Sequence, residues 1–204
     1  MSAAAQLGGP EALLDRIRSR LEPVDGPARP PAFGDGDLDA VAHRNGAGEG
    51  LSKKPLRPAA VLALLQPGET GLEIVLTRRA DHLQAHAGQI SFPGGRQNVG
   101  RESLAETALR ETEEEIGVPA GDVTLLGRFD AYRTVTGFAV TPFVGHVTRR
   151  PAFRPDPGEV AEVFSAPFDF LMNPRNHRLE AREFRGVLRR FYAMPYQGRY
   201  IWGA

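Results

Sequence analysis

The sequence has no cysteine, and this absence excludes disulfides, zinc–thiolate centres, iron–sulfur clusters and thiol nucleophiles. It also lacks an excess of either charge, because lysine plus arginine and aspartate plus glutamate number 25 each. A dedicated nucleic-acid-binding protein usually carries a strong positive excess, so we expect no nucleic-acid partner. Any anionic ligand must then be held by a local cluster of donors or by a metal ion.

Long apolar runs are missing as well. No segment approaches the ~18 apolar residues that a membrane-spanning helix needs. The N-terminus, MSAAAQLGGPEALL, has neither the basic stretch nor the continuous apolar stretch of a signal peptide. With 41% hydrophobic and 25% charged residues, the composition is typical of a soluble protein with a real core. We therefore expect a cytoplasmic protein without a membrane partner.

The chain divides at about residue 55. Residues 10–22 have the spacing of a short amphipathic helix, with apolar side chains at positions 13, 14, 17 and 21. Such a helix can pack on the rest of the chain or on a second subunit. Residues 23–50 are rich in proline, glycine, alanine and aspartate, which indicates an irregular linker. We predict an N-terminal extension over 1–55 and the main domain over 56–204.

Short apolar segments alternate with turn signals in the main domain. They predict strands at 59–65, 72–77, 89–92, 123–129 and 138–147, a strand or loop leading into a short helix at 159–171, and a final hairpin over 177–202. The strongest helix prediction is 102–116, because it has good helix formers throughout and Gly117 at its end. Strands mixed with few helices predict an α+β fold or an α/β/α sandwich.

Three glutamates share one face of the predicted 102–116 helix. Glu111, Glu114 and Glu115 are spaced i, i+3 and i+4, so their like charges cost roughly 0.2–0.5 kcal/mol per pair. They also lie near the helix C-terminus, where the macrodipole disfavours anions. A solvated surface is the usual explanation of a glutamate-rich helix. Here, however, the helix follows the loop FPGGRQ, whose backbone can approach a phosphate, and hard ions such as Mg²⁺ or Mn²⁺ prefer carboxylate ligands.

The spacing around this helix resembles the signature of the Nudix family, G-x5-E-x7-R-E-U-x-E-E-x-G-U, in which U is a bulky aliphatic residue. Glu102 is followed by seven residues and then by the run from Arg110 to Val118, which matches the signature except that Thr112 replaces the aliphatic residue. Six residues rather than five separate Gly95 from Glu102. The resemblance implies a Nudix-type α/β/α sandwich with a mixed β-sheet.

The segment before the helix resembles one branch of that family. Residues 76–95, LTRRADHLQAHAGQISFPGG, are similar to the motif L-T-x-R…L-x-x-H-x-G-Q-(I/V)-x-F-P-G-G of the coenzyme A pyrophosphatases. That branch also carries one extra residue in the loop, which accounts for the altered spacing. The resemblance covers residues 56–204. Because the branch usually continues past I-W-G-A into a terminal helix, the chain is expected to stop early.

The resemblance implies a hydrolase that cuts the diphosphate bond of coenzyme A or its derivatives, giving 4′-phosphopantetheine and adenosine 3′,5′-bisphosphate. It implies that Glu111, Glu114 and Glu115 hold Mg²⁺ or Mn²⁺, which activates the attacking water. Arg110 and Glu102 would orient these ligands as an ion pair. Glu113, at a free position of the signature, is expected to face solvent.

The resemblance also marks residues around the loop as candidates for substrate binding: Arg79, Gln89, Gly94, Gly95 and Arg96, with Arg78 as a weaker candidate. The arginines would serve the 3′-phosphate, although each alone is as readily a surface residue. His86 is expected to be structural. The base that activates water is a helix glutamate or a later carboxylate, Glu159 or Glu162, and for Glu159 a plain surface role is favoured.

Three functions stay open on these grounds. The first is the coenzyme A diphosphatase. The second is a Nudix diphosphatase acting on ADP-ribose, NADH or a nucleotide sugar, since pocket selectivity cannot be inferred from a shared scaffold. The third is a non-catalytic nucleotide-binding module, which the intact glutamate set disfavours. All three bind a nucleotide-type small molecule, and a homodimer is compatible with each.

Overall fold

The computed structural model describes residues 9–27, 29–31, 33–35, 55–184 and 186–203. Their α-helices are α1 (Gly9–Arg18), α2 (Leu104–Ile116) and α3 (Phe168–Met172), with 3-10 turns at Ala120–Asp122 and Pro174–Asn176. Their strands are β1 (Phe33–Gly34), β2 (Arg57–Pro67), β3 (Leu72–Arg79), β4 (Ile90–Ser91), β5 (Gly94–Arg96), β6 (Thr124–Arg128), β7 (Tyr132–Arg133), β8 (Phe138–His146), β9 (Val160–Pro167), β10 (Arg178–Phe184), β11 (Val187–Tyr196) and β12 (Arg199–Trp202).

Strand β2 organises the main sheet, which has nine strands among the described residues. Along one side, residues 57–65 of β2 pair in parallel with the whole of β8. Its other side is shared, because residues 59–61 pair with β5 and residues 65–67 pair with β3, both antiparallel. The path β1-β7-β8-β2-β3-β4 is completed by β6 on β8 and β9 on β3. The sheet is therefore mixed, and β5 is held at the centre of it.

The two faces of the sheet bury different helices. Ala60, Leu62 and Leu64 of β2 point to one face, where they pack with Ala108 and Ile116 of α2. Because side chains alternate along a strand, the next residue points the other way. That second face holds a cluster with apolar residues of α1, β2, α3 and β12: Leu13, Leu65, Leu171 and Ile201. Helices cover both faces, so the predicted α/β/α sandwich with a mixed sheet is confirmed.

Two boundary predictions at the N-terminus differ from the structure. The helix predicted over 10–22 ends at Arg18, because Glu22 exchanges backbone hydrogen bonds with Arg128 of β6, both at 3.0 Å. Leu13 is 8% exposed within the sheet's core. Within the predicted linker 23–50, β1 pairs in parallel with β7; positions 36–54 lie outside the described residues. The division of the chain at residue 55 stays a prediction.

The C-terminal hairpin prediction is incomplete. Strands β10, β11 and β12 form a separate antiparallel sheet among the described residues. The chain reverses a second time at Gln197 and Gly198, whose φ angles are 47° and 76°. Glycine adopts a positive φ without steric cost, which favours a tight turn at this point. None of the helices in the described part of the chain is both long and apolar enough to cross a membrane.

Candidate active site

Helix α2 is capped at both ends by its own sequence. The Ser103 side chain accepts the Glu106 N–H at 3.2 Å, and the Glu106 carboxylate accepts the Ser103 N–H at 2.7 Å. This capping box starts the helix two residues later than predicted. Gly117 ends it with φ 74° and donates its N–H to Glu113. Helix α2 also packs on β2 and β5, and two of its glutamates, Glu111 and Glu115, lie against the Gly94–Arg96 strand.

Glu115 is the buried member of the three glutamates, with 4% of its surface exposed. Its carboxylate accepts the Gly94 N–H at 3.3 Å. Burial raises the pKa of Glu115 to about 8; Glu159 and Glu111 raise it further, while the Gly94 N–H and Arg79 oppose the rise. A cation beside this carboxyl group would favour its ionised form.

Glu111 lies against the glycine strand. A Cβ atom on Gly95 would lie 2.4 Å from the Glu111 carboxyl carbon and 2.5 Å from each of its oxygens. A larger residue at this position would displace the carboxylate from where it lies. Burial raises the pKa of Glu111, with Glu114 and Glu159 adding to the rise and Arg110 opposing it.

Arg110 joins the acidic groups into one network. Its guanidinium donates to both oxygens of Glu102, at 2.8 Å from Nε and 2.9 Å from Nη2. Its Nη1 lies 2.8 Å from carboxylate oxygens of both Glu111 and Glu114. The Arg110 hydrogen bonds hold the pKa of Glu102 at about 2, and Glu102 raises the pKa of Arg110 in turn. The predicted Arg110–Glu102 pair is thus present.

Glu102 is itself held from several sides. Its carboxylate accepts the Asn98 N–H at 2.9 Å and the Thr107 hydroxyl at 2.9 Å. The Gln97 side chain donates to its carbonyl at 2.7 Å. Glu102 therefore ties the loop before α2 to the arginine that contacts the other glutamates.

Two features of the glutamates bear on the metal-binding prediction: their positions and their chemistry. Among the described residues, no three acidic or histidine side chains converge closely enough to hold one metal ion. Arg110 Nη1 lies between Glu111 and Glu114, 2.8 Å from a carboxylate oxygen of each. The donor set nevertheless fits Mg²⁺ or Mn²⁺, because the glutamates offer hard oxygen ligands. Burial and neighbouring carboxylates raise the pKa values of two of them, Glu111 and Glu115. The metal roles of the three glutamates stay predictions.

The remaining glutamates of α2 face outward. The Glu114 side chain is 60% exposed and is held by Arg110. Glu113 is exposed, as predicted, and its carboxylate accepts the Ala120 N–H at 3.2 Å. Thr112, which departs from the family signature, is buried; its hydroxyl donates to the Ala108 carbonyl at 2.7 Å. That bond satisfies the polar atom, so threonine is accommodated where the signature has an aliphatic residue.

The predicted substrate-binding residues lie around the glycine strand. The backbone of Arg79 accepts the Gly88 N–H and donates to the Gln89 carbonyl. Its side chain acts electrostatically on Glu115, and its Nε is buried without a partner among the described residues. Gln89 Oε1 lies 2.8 Å from Nδ1 of the exposed His86, and the structural role expected for His86 stays a prediction. Arg96 is exposed, and its carbonyl accepts a hydrogen bond from Arg110 at 3.3 Å.

Of the two later carboxylates, only Glu159 acts on the buried glutamates. Glu159 is exposed and raises the pKa values of both Glu111 and Glu115. Glu162 is instead paired with Arg199 and lies 3.7 Å from Arg78, and these arginines lower its pKa. Glu159 is exposed directly before β9, as the favoured sequence interpretation, a plain surface role, expects. Its role as the base stays a prediction.

A segment that the sequence analysis missed places Glu159. Arg154 and Asp156 donate their N–H groups to the carbonyls of Ile116 and Glu115, at 2.9 and 3.0 Å. Asp156 in turn accepts the Glu159 N–H at 3.0 Å. Residues 154–159 thus close the C-terminal end of α2 and turn back toward its carboxylates. The Asp-Pro-Gly turn signal at 156–158 is visible in the sequence, but its partner helix is not.

Comparison with known proteins identifies the family. A model described as NUDIX domain matches residues 55–186. Two curated relatives, from Yersinia pestis (strain Pestoides F) and Yersinia pseudotuberculosis serotype O:1b (strain IP 31758), are both named "Uncharacterized Nudix hydrolase NudL". Each is 41% identical to the chain over 150 residues, which are 72% of this chain and 73% of the relative. The chain belongs to the Nudix hydrolase family.

Family membership gives the general class of reaction. The chain is a Nudix hydrolase, a pyrophosphohydrolase acting on nucleoside diphosphate derivatives. Nudix hydrolases generally use Mg²⁺ or Mn²⁺. Among solved structures, the Nudix hydrolase RenU from M. smegmatis matches with a TM-score of 0.45 and 20% identity over 56% of this chain and 76% of that one.

Proposed function

We propose that this Nudix hydrolase cleaves the diphosphate bond of coenzyme A or its derivatives. The observation that carries the proposal is the position of the segment resembling the coenzyme A branch. Residues 76–95 run directly beside the buried glutamates: Gly94 donates to Glu115 at 3.3 Å, Gly95 leaves space for Glu111, and Arg79 acts on Glu115. A branch-specific segment at this place is suited to select the substrate whose diphosphate the glutamates process.

Glu111, Glu114 and Glu115 are the proposed ligands of Mg²⁺ or Mn²⁺. When bound, such an ion neutralises charge on the diphosphate and lowers the pKa of the attacking water. The protein contributes the positions of the donors. Arg110, fastened by Glu102, sets where Glu111 and Glu114 point, and the Gly94 N–H orients Glu115.

Glu159 is the proposed acceptor of the proton from water. It lies close enough to Glu111 and Glu115 to raise their pKa values, yet it is exposed and reaches solvent. Glu162 is less suited, because its ion pairs with Arg199 and Arg78 occupy its carboxylate. A general base must be within reach of the proton and free to accept it.

Arg79 and Arg96 are the proposed contacts of the phosphate groups, with Gln89 supporting the loop. Arg79 has an unused buried Nε among its described contacts, so it retains a donor for an anion. The 3′-phosphate of coenzyme A is the feature that ADP-ribose and NADH lack, and an arginine fork is a preferred partner for phosphate.

One assay separates the candidate substrates. The protein is incubated with Mg²⁺ and coenzyme A, ADP-ribose or NADH, and the products are resolved by chromatography. The proposal expects 4′-phosphopantetheine and adenosine 3′,5′-bisphosphate from coenzyme A at the highest kcat/KM. Rapid hydrolysis of ADP-ribose or NADH with coenzyme A intact would overturn it in favour of another diphosphatase.

A matched pair of variants tests the assigned catalytic face of α2. Glu115→Gln should abolish Mg²⁺-dependent hydrolysis, whereas Glu113→Gln makes the same chemical change on the exposed side of the helix and should retain it. Full activity in Glu115→Gln refutes the metal role. Absence of hydrolysis with every diphosphate, together with retained nucleotide binding, would support the non-catalytic module instead.

A further inference from the structure

The three-stranded sheet presents a long open edge. Strand β12 contacts β4 of the main sheet, and its Ile201 packs into the core. Strand β10 is therefore the far edge of the order β10-β11-β12, and no strand pairs with its outer side among the described residues. Residues 181–183 are all exposed, so both faces of this edge reach solvent. An open edge of unpaired backbone groups is a template for another strand.

The sequence of β10 is complementary to itself. When two copies pair antiparallel about a two-fold axis through Ala181, all seven residues of Arg178–Phe184 overlap. That register places Glu180 opposite the partner's Arg182, and symmetry repeats the pair. Opposite charges across a ladder stabilise it. The register of greatest overlap is thus also one of matched charge.

Registers shifted by one residue overlap less and bring like charges together. Residues that face each other across a symmetric ladder lie on the same side of the sheet, so the axis must pass through a residue. Centred on Glu180, the ladder sets this glutamate against itself; centred on Arg182, it does the same with the arginine. Like charges directly opposite are destabilising, and both shifts shorten the overlap.

Strand β10 also makes a like-charge contact with β11 within one copy. In the register with β11, Arg182 lies opposite Arg189, which places two like charges side by side. The guanidinium of Arg182 lies 5.6 Å from the ring centroid of Trp202. The Tyr200 hydroxyl donates a hydrogen bond to Oε2 of Glu180 within one copy. The other oxygen of the partner's Glu180 would face Arg182 across the ladder and offset the repulsion.

Apolar surface continues across the same axis. On the other face of the sheet Leu179, Leu188 and Tyr192 are exposed by 57%, 60% and 45%. Leu179 is paired with Tyr192 and Leu188 with Glu183. Pairing centred on Ala181 sets Leu179 opposite the partner's Glu183, whose aliphatic stem can cover it. The Glu183 stem of each copy then lies between its own Leu188 and Leu179 of the other copy.

We propose that two copies of this chain associate through their β10 strands, antiparallel and centred on Ala181, into one six-stranded sheet. The contact is a single strand ladder, which buries less than the ~1,200–2,000 Å² of a stable interface. We therefore expect a weak dimer that forms only at high protein concentration. The interface is independent of the substrate, because it lies on the edge of β10 and uses no residue placed in the active site.

Sedimentation equilibrium of the full chain from about 5 to about 500 µM measures the association. Glu180→Arg sets like charges opposite each other twice and should raise the dimer Kd roughly ten-fold, as should Arg182→Glu. The double variant Glu180→Arg/Arg182→Glu restores both pairs and should return the Kd toward that of the parent. Glu183→Arg makes an equal charge change on the other face and should affect the Kd less.

Circular dichroism and hydrolysis rates establish that each variant is folded, since the edge is separate from the glutamate network. Monomer at every concentration overturns the proposal. A dimer that ignores the single reversals, or that the double variant fails to restore, overturns the β10 interface. Loss and recovery of association in the expected order support it.

Discussion

Replacing Gly95 by alanine is the sharpest test of the active-site geometry. The added Cβ would lie 2.4 Å from the Glu111 carboxyl carbon. An ordinary carbon–carbon contact is about 3.5–4.0 Å, so the carboxylate must move by about 1 Å or more. Gly95 does not have a left-handed φ, and alanine therefore adds no backbone strain. The change acts almost entirely on the position of one proposed ligand.

The expected loss follows from that displacement. A misplacement of about 1 Å in a catalytic group can cost about 100-fold in rate. Stability should change little, because Glu111 is at the edge of the network and its carboxylate can rotate toward solvent. We expect kcat/KM with Mg²⁺ to fall about 100-fold while the thermal unfolding midpoint stays within a few degrees of the parent.

The control is Gly121→Ala. Gly121 also lacks a left-handed φ, and a Cβ there meets nothing within 4 Å, so this variant should keep full activity. Steady-state kinetics on the preferred diphosphate, with a parallel thermal melt, decide the matter. Near-parental kcat/KM in Gly95→Ala would show that Glu111 tolerates displacement and that its assigned role is mistaken.

Three further predictions concern titration and packing. Because the pKa of Glu115 is raised from 4.5 to about 8, the metal-free protein should lose stability as pH rises between these values. Mg²⁺ affinity should rise over the same range, because binding releases a proton. A Mg²⁺ affinity that calorimetry finds independent of pH contradicts this. Glu102→Gln should lower the free energy of unfolding by about 1–3 kcal/mol. Because the pKa of Glu102 is lowered to about 2, the contribution of its charge is present above about pH 4.5 and disappears toward pH 2. Equal losses at neutral and strongly acid pH in denaturant titrations would contradict this prediction. Leu13→Ala should cost about 2–5 kcal/mol in urea unfolding, since Leu13 is 8% exposed in the sheet's core; a negligible loss would mean that α1 is dispensable to the domain.

Helix α2 could be predicted from the sequence because its determinants are local. Its formers, the Ser103 cap and the Gly117 stop all lie within the segment. The i, i+3, i+4 spacing of the glutamates follows from 3.6 residues per turn. The face that carries the three glutamates was therefore predictable, although the start of the helix moved from residue 102 to residue 104.

The N-terminal and C-terminal segments were harder because their partners are remote. The end of α1 depends on a bridge from Glu22 to Arg128, more than a hundred residues away. Strand β1 is two residues long, too short to show a pattern, and exists through its pairing with β7. Strand β12 was concealed within one predicted hairpin, because four residues with a turn at Gln197–Gly198 carry little periodic signal.

The sequence alone determined the glutamate-rich helix, the glycine-rich loop before it and the family to which the chain belongs, because each depends on residues near one another along the chain. The unequal states of the glutamates were decided only by tertiary structure. Glu115 is buried because β5 crosses beside α2, and Glu114 is exposed because nothing covers that side of the described helix. Glu159 reaches the site because residues 154–159 bond to the last carbonyls of α2. Such differences arise from contacts between distant segments, and spacing within one segment cannot encode them.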